Sequence, residues 1–305
     1  MHELKALQLI TAIKTPYLAD GRIDLEAYDA LVEQQIAGNA DGLIVGGTTG
    51  EGHLMSWDEH IMLIAHTAKH FGDRIAVIGN TGSNNTREAV HATCQGFAVG
   101  MDAALQINPY YGKTSTDGIR RHFEAVLDYG PTILYNVPGR TGQDIPDSVV
   151  DQLSAEHPTF AGVKECTGLD RIERHASRGI SIWSGNDDDC HDARQYRGAQ
   201  GVVSVTSNAS PALVKHMMAS NGPDTTTRDG IMPLMEWVFA QPNPIGINTL
   251  MSMMRMNHPY FRLPYLPFTK EDRQRGKTIV EELGLEHTVS DRIDVLNDED
   301  FIAIV

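Results

Sequence analysis

Residues 132–164, TILYNVPGRTGQDIPDSVVDQLSAEHPTFAGVK, hold one complete strand–helix–strand unit. TILYNV and FAGVK are near-continuous apolar runs, which are typical of strands that are covered on both faces. The segment 146–158 between them carries the helical period, and Pro146 suits the first turn of a helix. The stretch therefore predicts two strands of a parallel sheet that are joined by a helix.

Apolar runs of the same kind recur along the chain. They are LQLITAI from Leu7, GLIVGG from Gly42, IAVIGNT from Ile75, AALQIN from Ala103, ISIWSG from Ile180 and GVVSVT from Gly201. Helical periodicity fills the segments 23–38, 56–72, 85–100 and 114–130, and a Ser-x-x-Glu capping box opens at Ser56. Eight such units, with no GxGxxG after the first strand, favour an α/β fold with a closed (β/α)8 TIM barrel over a doubly wound sheet.

The pattern changes beyond Asn221-Gly222-Pro223, where helical segments follow one another and no strand is expected. We therefore predict a catalytic barrel in residues 1–222 and a helical C-terminal region in residues 223–305 that packs on it. Four methionines cluster between positions 251 and 256. They are expected in the core or at a subunit contact rather than in a functional site.

The composition is typical of a globular protein. Of the 305 residues, 41% are hydrophobic and 21% are charged. A net charge of -15 without a basic stripe argues against a nucleic-acid partner. No run of about 18 apolar residues is present, so we expect no membrane partner.

The cysteines and histidines suggest neither disulfides nor a metal site. Cys94, Cys166 and Cys190 are odd in number and widely separated, which indicates a reducing compartment. The thirteen histidines show no HExxH-like spacing. The N-terminal MHELKALQLI lacks the apolar core of a signal peptide and the Arg- and Ser-rich character of a transit peptide, although a mature chain could have lost one.

Polar and glycine-rich segments follow the predicted strands, and catalytic groups of such barrels lie at the carboxyl ends of strands. The segments are GGTTGEG (46–52), GNTGSNNT (79–86), NPYYGKTS (108–115), YNVPGRTG (135–142), KECTG (164–168), SGNDDD (184–189) and VTSN (205–208). Each has a structural alternative: a plain turn, packing tyrosines, an exposed arginine, or, at 187–189, a solvated acidic run or a charge cluster at a helix N-terminus. Their convergence on one mouth of the barrel favours a functional site.

Lys164 stands directly after the apolar run FAGV, where an ammonium group loses hydration. It could reach solvent, pair with an acid or serve as a nucleophile. Burial lowers the pKa of a lysine from about 10.4 and leaves an amine that can form a Schiff base with a ketone. A tyrosine hydroxyl relayed through a threonine could move the proton, and the backbone of a Thr-Thr-Gly turn could bind the carboxylate of a keto acid.

The motifs GTTGE, NPYY, YNVPGRTG and GVKE, in this order, resemble the pyruvate-dependent class I aldolase superfamily and, within it, the dihydrodipicolinate synthase family. SWDEHIMLIAHT, KECTG, SGNDDDCHD and PNPIGINT are similar to its plant and green-algal branch. The resemblance covers nearly the whole chain. It implies a condensation of pyruvate with L-aspartate-4-semialdehyde in lysine biosynthesis through diaminopimelate, with no cofactor and no metal.

The resemblance also implies catalytic roles. Lys164 would form the Schiff base with pyruvate, and Tyr135 would transfer protons. Tyr135 would be linked through Thr48 to Tyr111, which the family takes from the neighbouring subunit of a tight dimer. We therefore expect a homo-oligomer, with a tetramer built as a dimer of dimers.

Four further positions are implied to bind substrate. Thr49 would hold the carboxylate of pyruvate, and Arg140 would hold the carboxylate of the semialdehyde. Gly185 and the backbone carbonyl of Val203 would lie near the bound molecules. Two alternatives stay open: a sibling aldolase that acts on a sugar acid or sialic acid, and a non-catalytic sensor on the same barrel.

The family also has a regulatory site at which L-lysine inhibits the enzyme. The positions that match it are Gly52, His53, Trp57, His60, Asn84, Glu88 and Tyr110. A carboxylate can pair with the ammonium group of the effector, and an aromatic ring can cover its alkyl chain. The structural alternative is that Trp57 and His60 merely pack at the start of a helix. A plant chain of this family is expected in the chloroplast stroma, and a bacterial one in the cytoplasm.

Overall fold

The computed structural model describes residues 2–219 and 222–305. The chain forms two compact units. The first comprises Met1–Ile10, Asp41–Val45 and Ser56–Val203, and the second comprises Thr11–Ala40, Gly46–Met55 and Ser204–Val305. The predicted change of pattern at Asn221-Gly222-Pro223 falls in part on Asn221, which lies outside the described residues.

Parallel strands close into a barrel in the order β1 to β8, which confirms the predicted (β/α)8 fold. They are β1 (Leu9–Ala12), β2 (Gly42–Val45), β3 (Ala76–Asn80), β4 (Ala103–Ile107), β5 (Thr132–Asn136), β6 (Phe160–Glu165), β7 (Ile182–Ser184) and β8 (Gly201–Ser204). The first unit holds these strands except for the ends of β1 and β8. Hydrogen bonds from Asp41 N to Leu9 O and from Val202 N to Gln8 O join β1 to both neighbours.

One helix precedes the barrel and at least one helix follows each barrel strand. The helices are α1 (His2–Lys5), α2 (Leu25–Ala37), α3 (Trp57–Phe71), α4 (Thr86–Ala98), α5 (Thr116–Leu127), α6 (Pro138–Thr141), α7 (Asp147–Glu156), α8 (Leu169–Ala176), α9 (Cys190–Tyr196), α10 (Pro211–Ala219), α11 (Thr225–Val238), α12 (Ile245–Met253) and α13 (Lys270–Leu283). In the described residues, no helix is both long and apolar enough to cross a membrane.

Side-chain caps explain several of the helix starts. The predicted capping box is confirmed at α3, where Ser56 Oγ accepts from Glu59 N at 3.2 Å and the Glu59 carboxylate accepts from Ser56 N at 3.0 Å. The prediction for Pro146 is wrong by one position, because its extended ψ of 142° makes it the residue before α7 rather than part of the first turn.

A continuous apolar core in the first unit lies between β5–β7 and the helices α5, α7, α8 and α9. Its fully buried members include Phe123, Leu134, Val163, Ile172 and Ile182. Because the outward faces of these strands are apolar and covered, they read as continuous rather than alternating hydrophobic runs. This packing holds the carboxyl ends of β5 and β6 side by side.

The second unit contains the predicted C-terminal helices, but the expectation of helices alone is wrong. A short strand β9 (Tyr260–Arg262) pairs in parallel with β10 (Ile302–Ile304). Strands of three residues are too short to show an alternating pattern. Met251, Met253 and Met254 are buried, which confirms their predicted place in the core.

Candidate active site

Tyr135 and Lys164 lie opposite each other on adjacent strands. The register of β5 and β6 pairs Tyr135 with Lys164, and Lys164 Nζ is 4.2 Å from the centroid of the Tyr135 ring. Lys164 is only 7% exposed and Tyr135 only 6%. The predicted burial of the lysine is confirmed.

Burial lowers the pKa of Lys164, and the Arg140 guanidinium acts in the same direction. The Cys166 sulfur and the Asp187 carboxylate oppose the shift. The net result favours the neutral amine, which is the form that can attack a carbonyl carbon. The pKa of Lys164 is therefore shifted in the direction that Schiff-base chemistry needs.

Cys166 borders the same two residues. Burial of its sulfur raises the pKa of the thiol to about 11, so the thiol is protonated at neutral pH. The Tyr135 side chain donates a hydrogen bond to it. The sequence offered no reason to single out this cysteine, since its contact with Tyr135 of β5 is not visible in the sequence.

Gly185 leaves the space that the lysine side chain occupies. A Cβ atom at this position would lie 2.9 Å from Lys164 Cε and would also overlap Cys166 Sγ. The residue follows β7, and its N–H donates to Glu165 O at 2.8 Å. The absence of a side chain at Gly185 is therefore a steric requirement of Lys164.

Asp187 is 2% exposed, so the interpretation of 187–189 as a solvated acidic run is wrong for this residue. Asp189 is half-buried and accepts from Ser184 Oγ at 2.5 Å and from Asn186 Nδ2 at 3.2 Å. It directly precedes α9, where a negative charge is favoured by the helix dipole. Two hydrogen bonds and the helix terminus thus account for Asp189.

Arg140 lies in α6, the short helix that directly follows β5. Its side chain is exposed, and its backbone N–H donates to Val137 O at 2.8 Å. Gly142 ends the helix with a φ of 75°, a left-handed conformation that favours glycine. A guanidinium held on such a compact loop is well suited to bind a carboxylate.

Tyr110 and Tyr111 occupy the loop after β4. Tyr111 is 95% exposed and has a φ of 68°, so it does not pack against its own chain. Tyr110 is 36% exposed, and its backbone carbonyl accepts from Asn84 Nδ2 at 3.2 Å. An exposed aromatic ring on a strained backbone favours an interaction outside this chain.

The predicted residues Thr48 and Thr49 belong to the second unit. Thr48 is half-buried, and Thr49 is buried and accepts from Asn243 Nδ2 at 3.0 Å. A Cβ atom at Gly50 would lie 2.7 Å from Ile13 O, so the turn after Thr49 requires glycine. These contacts hold the threonine turn in one conformation.

A buried charged pair supports the same turn. Lys14 and Glu51 are each 1% exposed, and Lys14 Nζ lies 4.0 Å from Glu51 Oε1. Asn248 Nδ2 donates to the same carboxylate. Burial lowers the pKa of Lys14 and raises the pKa of Glu51. Sequence reasoning missed this pair, because Lys14 and Asn248 stand far from Glu51 along the chain.

The positions of the predicted regulatory site divide between the two units. In the second unit, Gly52 is buried and the exposed His53 has its Nε2 2.8 Å from the Tyr265 hydroxyl. In the first unit, the Trp57 ring stacks on His60 with centroids 5.3 Å apart and an interplanar angle of 12°. Burial lowers the pKa of His60 to about 4, so this ring is neutral at pH 7.

Two more regulatory positions lie at the start of α4. Asn84 and Glu88 are exposed, and Ser83 Oγ donates to Glu88 Oε2 at 3.2 Å. The structure brings Asn84 to Tyr110 and stacks Trp57 on His60. The Glu88 carboxylate is the acidic group among these positions that a cationic effector could reach.

Val203, the last of the predicted substrate-binding residues, is 1% exposed in β8.

Among the described residues, one group of acidic and histidine side chains has ligand atoms close enough to hold a metal ion: Glu124, Glu156 and His157, within 4.8 Å of one another. Glu124 already pairs with Arg120. Exposed groups of this kind are common without a metal, and none of these residues follows a barrel strand.

Comparisons with known proteins agree with this geometry. The profile of the "Dihydrodipicolinate synthetase family" matches residues 5–283. The "4-hydroxy-tetrahydrodipicolinate synthase, chloroplastic" of Nicotiana tabacum is 59% identical over 303 residues, which are 99% of this chain and 84% of that protein.

Two solved structures share the fold over most of their length. The first monomeric dihydrodipicolinate synthase variant superimposes with a TM-score of 0.89 at 29% identity and covers 93% of this chain and 98% of its own. DHDPS from Cyanidioschyzon merolae with lysine bound gives a TM-score of 0.85 at 29% identity, over 92% of this chain and 99% of its own. The chain therefore belongs to the dihydrodipicolinate synthetase family.

Proposed function

We propose that this protein is a lyase that condenses pyruvate with L-aspartate-4-semialdehyde to give 4-hydroxy-tetrahydrodipicolinate. The observation that carries the proposal is the buried amine of Lys164, which faces Tyr135 at the carboxyl ends of adjacent barrel strands. The name of the tobacco relative, at 59% identity, supports the same reaction.

The reaction begins at Lys164. Its neutral Nζ attacks the carbonyl carbon of pyruvate, and loss of water gives an iminium. A methyl proton next to the iminium then leaves, and we assign its transfer to Tyr135, whose ring lies 4.2 Å from Lys164 Nζ. The resulting enamine attacks the aldehyde carbon of the second substrate, whose oxygen takes up a proton. The amine of that substrate replaces Lys164 at the iminium carbon, closes the ring and releases the lysine.

The remaining roles follow the family resemblance, residue by residue. We assign the carboxylate of the semialdehyde to Arg140 and the carboxylate of pyruvate to Thr49. We assign the proton relay to Thr48 and to Tyr111 from a neighbouring subunit. Gly185 supplies the space for the lysine, and Val203 supplies a backbone carbonyl. Because the iminium formed on Lys164 accepts the electrons that the departing proton leaves behind, the proposed reaction needs no metal or organic cofactor.

Reduction with borohydride tests the chemistry. Incubation with pyruvate followed by reduction should attach a stable three-carbon adduct to Lys164, and Lys164→Ala should lose both the adduct and turnover. A sibling aldolase would form the adduct but prefer a sugar-derived aldehyde to L-aspartate-4-semialdehyde. A non-catalytic sensor would bind pyruvate and form no adduct. A comparison of aldehydes at equal concentration separates the first two outcomes.

We also propose that L-lysine inhibits the enzyme. A relative of the same fold is described with lysine bound. Glu88 offers a carboxylate for the ammonium group, and Trp57 offers a half-buried ring for the alkyl chain. L-lysine should lower the rate, D-lysine should lower it far less, and Glu88→Gln should weaken inhibition with little change in the uninhibited rate. Equal inhibition by both enantiomers would contradict a specific site.

The assembly is proposed to be at least a dimer, and a tetramer follows from the family. The 95% exposure of Tyr111 supports a contact with a second copy. Light scattering after gel filtration measures the state directly, and the solved monomeric variant shows why it must be measured. Relatives named chloroplastic support a plastid location, which imaging of the full-length protein would test.

A further inference from the structure

A second pair of buried residues, Asn136 and Glu165, lies next to Tyr135 and Lys164 on the same two strands. The register of β5 and β6 places Asn136 opposite Glu165, one position further along both strands. Because successive side chains of a strand point to opposite faces, this pair faces away from the first one. Both residues are fully buried, and Asn136 Nδ2 lies 3.0 Å from Glu165 Oε1 and 3.1 Å from Oε2.

Asn136 closes the loop that carries Arg140. Asn136 is the last residue of β5, and the loop that follows folds back so that Asp144 contacts the Asn136 side chain. Asn136 Nδ2 donates to Asp144 Oδ1 at 2.7 Å. Ile145 N donates to Asn136 Oδ1 at 3.0 Å. One buried amide therefore holds both ends of residues 136–145.

Arg171 of α8 also binds the end of this loop, at Asp144 and Ile145. Its guanidinium binds the Asp144 carboxylate and the Ile145 carbonyl, and its Nε lies 3.3 Å from Glu165 Oε2. The Glu165 carboxylate also accepts from Thr167 N at 2.9 Å. The negative charge of Glu165 is thus shared among donors from three segments. A buried carboxylate needs such partners, because an unpaired one would be strongly unfavourable.

The anchored loop is also bonded to the tyrosine loop after β4. Gln143 Nε2 donates to Pro109 O at 2.9 Å, and Gln143 Oε1 accepts from Thr114 N at 3.0 Å. Asn108 Nδ2 donates to Gln143 O at 2.9 Å. The loop that carries Arg140 and the segment 108–114 therefore form one hydrogen-bonded body.

We propose that Asn136, Asp144, Glu165 and Arg171 are positioning residues for Arg140 and thereby determine the affinity for the carboxylate of the second substrate. The inference rests on the proposed role of Arg140. A loop that is already ordered loses less conformational entropy when it binds an anion. A small misplacement of a binding group is costly, and a shift of about 1 Å can reduce a rate roughly 100-fold. Pyruvate is proposed to react at Lys164, and its carboxylate is assigned to Thr49 rather than to this loop.

Asp144→Ala tests the proposal, because Asp144 is 44% exposed and its removal leaves the buried Asn136–Glu165 pair in place. Asp151→Ala is the matched control. Asp151 of α7 is 41% exposed and pairs with Arg178, which follows α8, but among the described residues it makes no bond to the loop. Asp144→Asn keeps an acceptor for Asn136 and should recover most of the affinity.

We expect Asp144→Ala to raise the KM for L-aspartate-4-semialdehyde about tenfold. The KM for pyruvate and the yield of the reduced Lys164 adduct should change less than about twofold, which also shows that the fold is intact. Asp151→Ala should change none of these values. An unchanged aldehyde KM in Asp144→Ala, or an equal rise in both KM values, overturns the inference.

Arg140→Ala separates this inference from the proposed function. In the Arg140→Ala background, the Asp144→Ala change should have no further effect on the aldehyde KM, because the group that it positions is absent. If Arg140→Ala raises the aldehyde KM and Asp144→Ala does not, the positioning role alone fails. If Arg140→Ala has no effect, the role proposed for Arg140 fails, and the inference fails with it.

Discussion

Tyr135 and Lys164 occupy paired positions of β5 and β6, with Lys164 Nζ 4.2 Å from the tyrosine ring. Both side chains are buried, and burial lowers the pKa of the lysine. The pairing puts an amine with a lowered pKa next to a phenol that can exchange protons with a molecule bound to that amine.

Tyr135→Phe keeps the ring over Lys164 and removes only the hydroxyl. We expect kcat to fall about 100-fold or more, because a positioned general acid–base group contributes on that scale. The reduced pyruvate adduct should still form on Lys164. Steady-state kinetics and intact mass measure the two effects. Tyr196→Phe, at a residue that is 55% exposed, is the control and should keep full activity.

Gly185→Ala should disable Lys164 without unfolding the protein. The new Cβ atom would overlap Cys166 Sγ and lie 2.9 Å from Lys164 Cε, so both side chains must move. We expect the rate of adduct formation with pyruvate to fall about 100-fold, the scale of a displaced reacting group. Gly230→Ala serves as the control, since no atom lies within 4 Å of a Cβ built there. If adduct formation in Gly185→Ala were as fast as in the parent protein, the added Cβ atom would not displace Lys164 and the prediction would be wrong.

Lys14→Met should destabilise the protein strongly. Lys14 and Glu51 are each 1% exposed, so the substitution removes the cation that acts most strongly on a buried carboxylate and leaves it with the weaker influence of Arg262. Removing one partner of a buried pair costs about 3–5 kcal/mol of unfolding free energy. The double variant Lys14→Met/Glu51→Gln should lose clearly less unfolding free energy, because it leaves no unpaired charge in the interior. Urea unfolding gives both values, and equal losses in the single and double variants would contradict the account.

His60 should make the protein sensitive to acid. Burial lowers the pKa of His60 to about 4. Its contribution to stability is complete above the unfolded-state pKa of about 6.5 and declines as the pH falls towards 4, because only the unfolded chain binds the proton in this window. Between pH 7 and pH 5 this amounts to about 2 kcal/mol. His60→Phe should therefore show a smaller loss of unfolding free energy over that range, and an unchanged loss would rule out His60 as a cause.

The barrel could be predicted because each strand is a short apolar run followed by a turn, and this information is local. The run from Ile75 became β3 (Ala76–Asn80), and the run from Gly201 became β8 (Gly201–Ser204). The burial of Lys164 could be predicted for a related reason, since a charged residue directly after an apolar run is visible in the sequence.

Contacts between residues distant in the chain could not be predicted. Asn248 binds Glu51 across 197 positions, and no local pattern shows that approach. The burial of Asp187 was also missed, because an acidic run looks solvated until its neighbours in space are known. The strand pair β9–β10 was missed because each strand has three residues.

The most direct measurement is peptide mass spectrometry after treatment with pyruvate and borohydride. If an uncharged nitrogen in the barrel mouth condenses with the ketone, a single peptide carries the reduced three-carbon group, and fragmentation locates it at Lys164. A protein that stays unmodified under these conditions, or one that carries the group on another lysine, would contradict the account.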